Sequence, residues 1–226
     1  MTTPLLPLSL DELLTTTRTV RQRLDFGRHV ERDVITACID IAVQAPNGSN
    51  QQFWHWLVID DTALKAKVAD VYRAGMTAQI ADPGWMKGID YSPADQQRIA
   101  RSVDYLANHL HEAPAIVVPV IDARVEGQNL FTQASLWGSI LPAVWNFMLA
   151  LRARGLGSTW TTVHLHKAKD MAKLLGIPHE TTTQAGLFPV AYTLGTDFKR
   201  APRRRGSEVT YWNGWQGSTP SRREVR

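Results

Sequence analysis

Residues 130–154 constrain the fold more than any other part of the sequence, because their apolar side chains surround almost the whole of a predicted helix. A helix without a polar face has to be covered by other structure on several sides. In a chain of 226 residues, one such helix predicts a central core element with part of its surface left for a partner subunit. The apolar residues of this segment are Phe131, Leu136, Trp137, Ile140, Leu141, Val144, Trp145, Phe147, Met148, Leu149 and Leu151.

The other segments alternate between helical and strand patterns, with no internal repeat. An uninterrupted apolar run at residues 115–121 predicts a strand that is buried on both faces. Ser9 and Glu12 form a capping box at the start of a first helix, and Gly75 predicts the end of a helix that begins at Thr62. The remaining helices are expected at about residues 30–45, 92–113 and 167–175, and the remaining strands at residues 53–59, 158–163 and 187–194.

The composition indicates one soluble globular domain. Hydrophobic residues make up 44% of the chain and charged residues 20%, which excludes a disordered chain. No apolar run approaches the roughly 20 residues of a membrane helix, and a single cysteine, Cys38, fits a reducing compartment. We therefore expect a cytoplasmic protein with one domain over residues 1–216 and a disordered tail over residues 217–226.

The positive charge of the chain is modest and local. Its formal net charge is +4, and the basic excess lies mainly in residues 199–205 and at Arg222, Arg223 and Arg226. Nucleic-acid binding uses a basic track along an extended polyanion, whereas two short groups of arginine suit one phosphate group or a solvated tail. We expect no nucleic-acid partner and no membrane partner.

Several common catalytic motifs are absent or incomplete. His164 and His166 are two positions apart, but no Cys-x-x-Cys or His-Glu-x-x-His pattern supports a metal site, and no metal is expected. Gly155-Leu156-Gly157 lacks the third glycine of a dinucleotide-binding fingerprint. Cys38 lies on the apolar face of a helix and is expected to be a core thiol. No side chain is therefore predicted as a nucleophile or as a general acid or base.

Four polar or basic segments remain as candidates for ligand binding. Arg18, Thr19 and Arg21 offer two guanidinium groups and a hydroxyl, which suit phosphate or carbonyl edges. The loop 46–52 offers amides and backbone N–H groups, residues 160–162 offer hydroxyls, and residues 203–204 form a basic pair. Taken singly, each segment has an ordinary structural explanation. The first arginines could be surface charges, and the loop 46–52 could be an ordinary polar loop. Residues 160–162 could simply form a strand, and residues 203–204 could be a solubilising patch.

The order of these segments resembles the nitroreductase family of FMN-dependent oxidoreductases. That family shows an R-S-x-R segment, an A-P-S-x-x-N-x-Q-P-W-like loop, a G-L-G-x-x-W strand and a late basic cluster. The corresponding stretches here are Arg18-Thr19-Val20-Arg21, Ala45-Pro46-Asn47-Gly48-Ser49-Asn50-Gln51-Gln52-Phe53-Trp54, Gly155-Leu156-Gly157-Ser158-Thr159-Trp160 and Pro202-Arg203-Arg204. The resemblance spans roughly residues 10–215, and Thr17 stands where many members have a further basic residue.

The resemblance implies a set of FMN contacts. The first segment and the late basic pair would hold the phosphate and ribityl chain, and Arg21 would face the N1/O2 edge of the isoalloxazine ring. The loop that begins at Pro46 would lie against the ring, contributed in part by the partner subunit, and residues 160–162 would lie near the ring. The implied residues are Arg18, Thr19, Arg21, Pro46, Asn47, Asn50, Trp160, Thr161, Thr162, Arg203 and Arg204.

The resemblance further implies an α+β fold with a mixed central sheet flanked by helices, assembled as an intertwined homodimer with FMN at the interface. Residues 211–215 would belong to an exchanged C-terminal arm. The implied activity is hydride transfer from NADH or NADPH, through flavin N5, to a nitroaromatic, quinone or similar small-molecule acceptor. Residues 76–91, with Trp85 and Tyr91, would form part of a lid that contacts this substrate. The alternative is a module that binds a flavin or phosphate ligand without turnover.

Overall fold

The computed structural model describes residues 4–82 and 92–215, which form an α+β fold around a six-stranded sheet. Helices α1 to α6 span Leu10–Thr16, Arg32–Ala42, Thr62–Ala81, Pro93–His109, Leu130–Ala153 and Ala168–Leu175. Strands β1 to β6 span Leu24–Asp25, Trp54–Ile59, Ala115–Ile121, Leu156–Ser158, Thr183–Gln184 and Phe188–Thr193. The predicted α+β class is confirmed.

The central sheet has the strand order β1-β6-β3-β2, with β4 pairing with β6 and β5 pairing with β3. Every ladder between these strands is antiparallel. Within the described residues, the one parallel bridge joins Thr19 to Ser158. The parallel component of the predicted mixed sheet is therefore confined to the N-terminal segment.

Strand β3 is the centre of the core, because helices cover both of its faces. All seven of its residues are buried. Val117 packs on the side of α2 and α5, whereas Ile116 and Val118 pack on the side of α3 and α6. The continuous apolar run of this strand follows from that three-layer arrangement, since neither face is left for polar residues.

Helix α5 is the predicted central helix and packs against α2, β3 and β4. It is 24 residues long, and an 18-residue stretch of it has a mean hydropathy of 1.4, so its length and composition would suit a membrane span. This finding corrects the expectation that no segment is long and apolar enough. In this fold 44% of that stretch is buried inside the protein. Such burial is the behaviour of a core helix that has no polar face.

Helix α3 does not end at Gly75, as the sequence predicted, but continues to Ala81. A Cβ atom at Gly75 would lie 2.4 Å from the carbonyl oxygen of Val163, so this position requires glycine for a close approach between helix and backbone. Residues 76–81 are consequently helical rather than part of the predicted loop. The rest of that loop, residues 83–91, lies outside the described residues.

The strand predicted at residues 158–163 is shorter and earlier, because β4 ends at Ser158. The edge of β4 is occupied by the N-terminal segment, where the backbone N–H of Val20 donates to the Ser158 carbonyl at 2.9 Å. Beyond Ser158, Thr161 forms an isolated bridge with Leu187. A 3₁₀ turn then follows at Val163–Lys167.

The close approach at Gly75 leads to a prediction about stability. In an ordinary helix interior, alanine is favoured over glycine by about 1 kcal/mol, but the added methyl group of Gly75→Ala would overlap the Val163 carbonyl. We expect Gly75→Ala to lower the free energy of unfolding by about 1–3 kcal/mol, the usual cost of overpacking. Urea denaturation measures this difference.

Ala74 supplies the matched control, since it is exposed in the same helix. Ala74→Gly should lower the free energy of unfolding by about 1 kcal/mol through helix propensity alone. A Gly75→Ala protein that is more stable than the wild type would mean that Val163 does not press on α3.

Candidate functional site

The N-terminal segment, residues 17–21, is built into the fold through its contact with β4. Val20 is only 5% exposed, and its backbone is hydrogen-bonded to Ser158. Gly157 makes room for this contact, because a Cβ atom there would lie 3.2 Å from Val20 and 2.6 Å from Thr193. The pairing fixes the backbone from which Arg18 and Arg21 extend.

Arg18, Thr19 and Arg21 line one cavity of about 450 Å³, here called the basic cleft. Arg23 and Lys199 line the same cleft. The carboxylate in its lining is that of Asp197, which already pairs with Arg23 at 2.6 Å. The basic cleft therefore carries a surplus of positive charge, which favours an anionic ligand.

Residues 194–199, here called the strap, are fastened to the rest of the site by arginine side chains. Arg18, Arg23 and Arg152 each donate a hydrogen bond of 2.7–2.9 Å to a carbonyl group of the strap. Their acceptors are the carbonyl oxygens of Lys199, Leu194 and Thr196, respectively. These bonds hold Lys199 at the basic cleft.

Arg152 is the most deeply buried cation of this region, with 4% of its surface exposed. Its Nε and Nη1 atoms have no hydrogen-bond partner. The ring of Phe198 lies 4.9 Å from its guanidinium and 4.3 Å from that of Arg23. Burial lowers the pKa of Arg152, but an arginine side chain stays charged in proteins. The region beneath the strap thus retains a cation without a counter-ion among the described residues.

A second cavity, of about 640 Å³, lies between α3, α4 and the residues that follow β4. Trp160, Thr161 and Thr162 line this apolar cavity together with Arg21. Much of the remaining wall is aliphatic, formed by Met76, Ile80, Ile99, Ala100 and Val103. Its volume is within the usual range of small-molecule sites, about 300–1,000 Å³.

Arg21 lines both the basic cleft and the apolar cavity, so the two cavities meet at its side chain. The guanidinium makes no hydrogen bond or ion pair with another described residue. Burial lowers the pKa of Arg21, and the nearby Tyr72 partly opposes this shift. A half-buried cation without a partner is a group that a ligand anion can neutralise.

A buried polar pair lies beside Arg21 in the lining of the apolar cavity. Oη of Tyr72 lies 3.0 Å from Oγ1 of Thr161, and the two residues are 1% and 6% exposed. The backbone of Thr161 donates to the Leu187 carbonyl at 3.1 Å and accepts from the Leu187 N–H at 2.8 Å. Hydrogen bonds thus hold Thr161 both at its backbone and at its hydroxyl.

The loop 46–52 is conformationally unusual and lines neither cavity. Ser49, Asn50 and Gln52 all have φ angles of 52–53°, which non-glycine residues rarely adopt. Two hydrogen bonds to side-chain oxygens help to hold this backbone: Gly48 N–H donates to Oγ of Ser139 at 2.9 Å, and Gln52 N–H donates to Oδ1 of Asn47 at 2.9 Å. Such enforced backbone conformations concentrate at functional sites.

The structure places the N-terminal segment and residues 160–162 at two cavities that share Arg21, but it does not place the other candidates there. Pro46, Asn47 and Asn50 line neither cavity. The same holds for Arg203, which is exposed, and for Arg204, which donates to the Glu208 carbonyl at 2.8 Å. Trp85 and Tyr91 lie outside the described residues.

Arg152, Lys199 and Tyr72 are among the residues at or beside the site that the sequence reasoning missed. Arg152 carried a signal, since it is a charged residue at the end of an otherwise apolar helix. Lys199 was hidden because it begins a basic run in which later arginines matched the family pattern better. Tyr72 occupies an ordinary apolar face of α3, and only the fold reveals its contact with Thr161.

The histidine pair considered for a metal is separated by the 3₁₀ turn. His164 is fully buried, whereas His166 is exposed. No group of three or more potential ligand side chains occurs among residues 4–82 and 92–215. Cys38 is buried in the core, and burial raises the pKa of its thiol to about 11, which makes it a poor nucleophile.

The two cavities together define the class of site. A cationic cleft joins an apolar cavity at one arginine, an arrangement that suits an elongated ligand with an anionic end and a flat aromatic end. The conserved pattern of the Nitroreductase family matches residues 14–192. The chain belongs to the nitroreductase family, and the family predicted from the sequence is confirmed.

Similar solved structures agree with this assignment at the level of the fold. A BluB-like flavoprotein from Clostridium difficile 630 superposes with a TM-score of 0.68 and 19% identity, over 91% of this chain and 99% of that one. The FMN- and NADPH-dependent nitroreductase NfnB from Sphigopyxis sp. strain HMH gives 0.67 and 20%, over 92% and 100%. An iodotyrosine deiodinase bound to FMN and 3-iodo-L-tyrosine gives 0.66 and 20%, also over 92% and 100%. Comparison with curated protein sequences gave no match.

The burial of His164 predicts a pH dependence of stability. Burial lowers its pKa from 6.5 to about 4, with Gln184 opposing the shift. Between these values the unfolded chain binds a proton that the folded chain does not, so stability falls as the pH falls. We expect the wild type to lose about 2 kcal/mol through this group between pH 7 and pH 5. Chemical denaturation at both pH values measures the loss.

His164→Gln should remove this part of the pH dependence, and His166→Gln, at an exposed position, should retain it. An unchanged pH dependence in His164→Gln would mean that the imidazole has the same pKa in the folded and the unfolded chain.

Proposed function

We propose that this chain is an FMN-dependent oxidoreductase that takes hydride from NADH or NADPH and passes it to a nitroaromatic, a quinone or a related electron-poor acceptor. The observation that carries the proposal is the guanidinium of Arg21, which is half-buried, has no partner among the described residues and is common to both cavities. Family membership supports the same class of reaction.

The residues present fit FMN. The basic cleft offers Arg18, Thr19 and Lys199 to a phosphate group, and the uncompensated charge of Arg152 adds to its attraction for an anion. The apolar cavity offers Trp160 and aliphatic side chains to a flat ring system. A ligand that joins a phosphate to an aromatic ring matches both parts of the site, with Arg21 between them.

The chemistry of the reaction resides in the cofactor, and the chain supplies position and charge. When bound, FMN would supply the hydride chemistry, through its N5 atom. Arg21 would hold a fixed positive charge at the N1/O2 edge, where reduction concentrates negative charge. The apolar walls would exclude water from this charge and strengthen its interaction with the guanidinium. No side chain of the described cavities is needed as a proton donor in the hydride step.

A homodimer is part of the proposal. Leu130 and Phe131 at the start of α5 are 82% and 83% exposed, and Trp212 and Trp215 of the C-terminal segment are 82% and 76% exposed. Apolar side chains this exposed are typical of a surface that a partner covers. The loop 46–52 lines neither cavity of its own chain, which supports its assignment to the site of the partner subunit.

The test is the anaerobic absorption spectrum of purified protein before and after addition of each nicotinamide. We expect the protein to bind FMN and the flavin to be bleached by NADH or NADPH. Arg21→Gln should slow the bleaching about 10- to 100-fold, because one charge-stabilising group typically contributes about a hundredfold or more. Stopped-flow absorbance measures the rate.

Arg154 provides the control, since it donates to Ala150 within its own helix and lines neither cavity. Arg154→Gln should leave the rate of bleaching unchanged. A colourless protein that binds no FMN on titration would refute the proposal. A yellow protein that neither nicotinamide bleaches would instead be a flavin-binding module without turnover.

The phosphate end of the site is tested by comparing FMN with riboflavin, which lacks the phosphate. Lys199→Gln should weaken FMN binding about tenfold, or 1.4 kcal/mol, because it removes a cation from the basic cleft. Riboflavin affinity should change less than about twofold, within the small effect of an exposed charge. Fluorescence titration measures both dissociation constants.

The same titration distinguishes Lys199 from the sequence-implied contact at Arg203. Loss of FMN affinity in Arg203→Gln, but not in Lys199→Gln, would return the phosphate contact to Arg203. Equal losses for FMN and riboflavin in Lys199→Gln would mean that Lys199 acts on the fold of the strap and not on the phosphate.

A further inference from the structure

We propose that Tyr72 is a positioning residue of the flavin site. Its phenol donates to Oγ1 of Thr161 and thereby leaves the Thr161 hydroxyl proton available to a ligand in the apolar cavity. This inference rests on the proposed function, since the ligand concerned is the flavin ring. Thr161 would contact the ligand, and Tyr72 would orient the Thr161 hydroxyl so that its proton faces the ligand.

The direction of the hydrogen bond follows from burial. Tyr72 is 1% exposed, and its hydrogen-bond partner among the described residues is Oγ1 of Thr161, at 3.0 Å. Both residues line the apolar cavity, but Thr161 is the more exposed of the two, at 6% against 1% for Tyr72. We therefore assign the donor role to the more deeply buried phenol, since an unpaired buried proton costs about 1–3 kcal/mol. The proton of Thr161 then stays free for an acceptor in the cavity.

The charge of Arg21 favours the same direction. Arg21 lies close enough to Tyr72 for each to affect the pKa of the other. The positive charge of Arg21, which lines the same cavity, disfavours a phenolic proton that points toward the guanidinium. Among the described residues, Oγ1 of Thr161 is the acceptor within hydrogen-bond distance of the phenol. Burial raises the pKa of Tyr72, so the phenol stays protonated and remains a donor at neutral pH.

Both groups are held by rigid backbone. The two hydrogen bonds between Thr161 and Leu187 fix the Thr161 backbone just before the start of β6. On the other side, Gly75 lies three residues after Tyr72 on the same face of α3. Its missing side chain lets α3 approach residues 163–164 closely, and this approach brings the phenol within reach of Thr161. Gly75, which the sequence analysis predicted as the end of a helix, thus allows the contact between Tyr72 and Thr161.

The test uses Tyr72→Phe, which retains the ring and removes only the hydroxyl, together with Thr161→Val and Thr161→Ser. In Tyr72→Phe the Thr161 hydroxyl loses its fixed orientation. We expect the anaerobic rate of flavin reduction to fall about tenfold, since misplacing a group by an ångström can cost up to about a hundredfold. The FMN dissociation constant should change less than about threefold. Thr161→Val should show the same loss, and Thr161→Ser should retain the wild-type rate.

The double variant distinguishes a positioning role from a merely structural one, because it shows whether the effects of the two substitutions on the reduction rate are additive. If Tyr72 acts through Thr161, then Tyr72→Phe has no further effect on the rate in a Thr161→Val background. The control is Tyr105→Phe, whose ring stacks on His109 at 4.5 Å and lines neither cavity; it should match the wild type.

Additive losses in the double variant would overturn the inference, as would wild-type rates in Tyr72→Phe or Thr161→Val. In either case the proposed function would stand if the wild type binds FMN and NADH or NADPH bleaches the bound flavin. A wild type that binds no FMN would remove both the proposed function and this inference.

Discussion

The pairing of the N-terminal segment with β4 is the contact on which the ligand site depends. Gly157 leaves the space that Val20 fills, and β4 is in turn held by β6 in the central sheet. Arg18 and Arg21 therefore extend from backbone that is ordered by the sheet and not from a free arm. A free arm would lose about 1–2 kcal/mol of backbone entropy per residue whenever a ligand ordered it. Here that cost falls on folding, so the guanidinium groups are positioned before a ligand arrives.

The second organising feature is an imbalance of charge. Arg18, Arg23 and Arg152 fasten the strap through its carbonyl groups, and Asp197 neutralises only one of them. Burying a cation costs several kcal/mol unless a partner offsets it, and Phe198 and the Thr196 carbonyl offset this cost only in part for Arg152. Arg152 packs on Phe198, which lines the basic cleft, so an anion in the cleft would reduce the excess of positive charge in this region. Ligand binding and the stability of the strap are therefore coupled, and each strengthens the other.

The parts of the fold that depend on local pattern were predictable, and those that depend on contact between distant segments were not. The capping box at Ser9 and the doubly buried β3 follow from spacing and composition, and both are present. Gly75 misled the prediction because glycine ends helices more often than it admits a neighbouring backbone. In the site, Arg21 was predictable from its motif, whereas the role of Tyr72 depends on Thr161, 89 positions away in the sequence. Such a contact leaves no trace in local periodicity.

Helix α4 borders both cavities along a single stretch of its surface. Ser102 belongs to the lining of the basic cleft, while Ile99 and Val103, within one turn of it, belong to the lining of the apolar cavity. Any tilt or shift of this helix therefore changes the shape of both compartments at once. A molecule long enough to occupy both would clamp adjacent turns of α4. Release of such a molecule and entry of another compound beside it would then both depend on the position of α4. A substitution in this helix would therefore change the rates of both processes together.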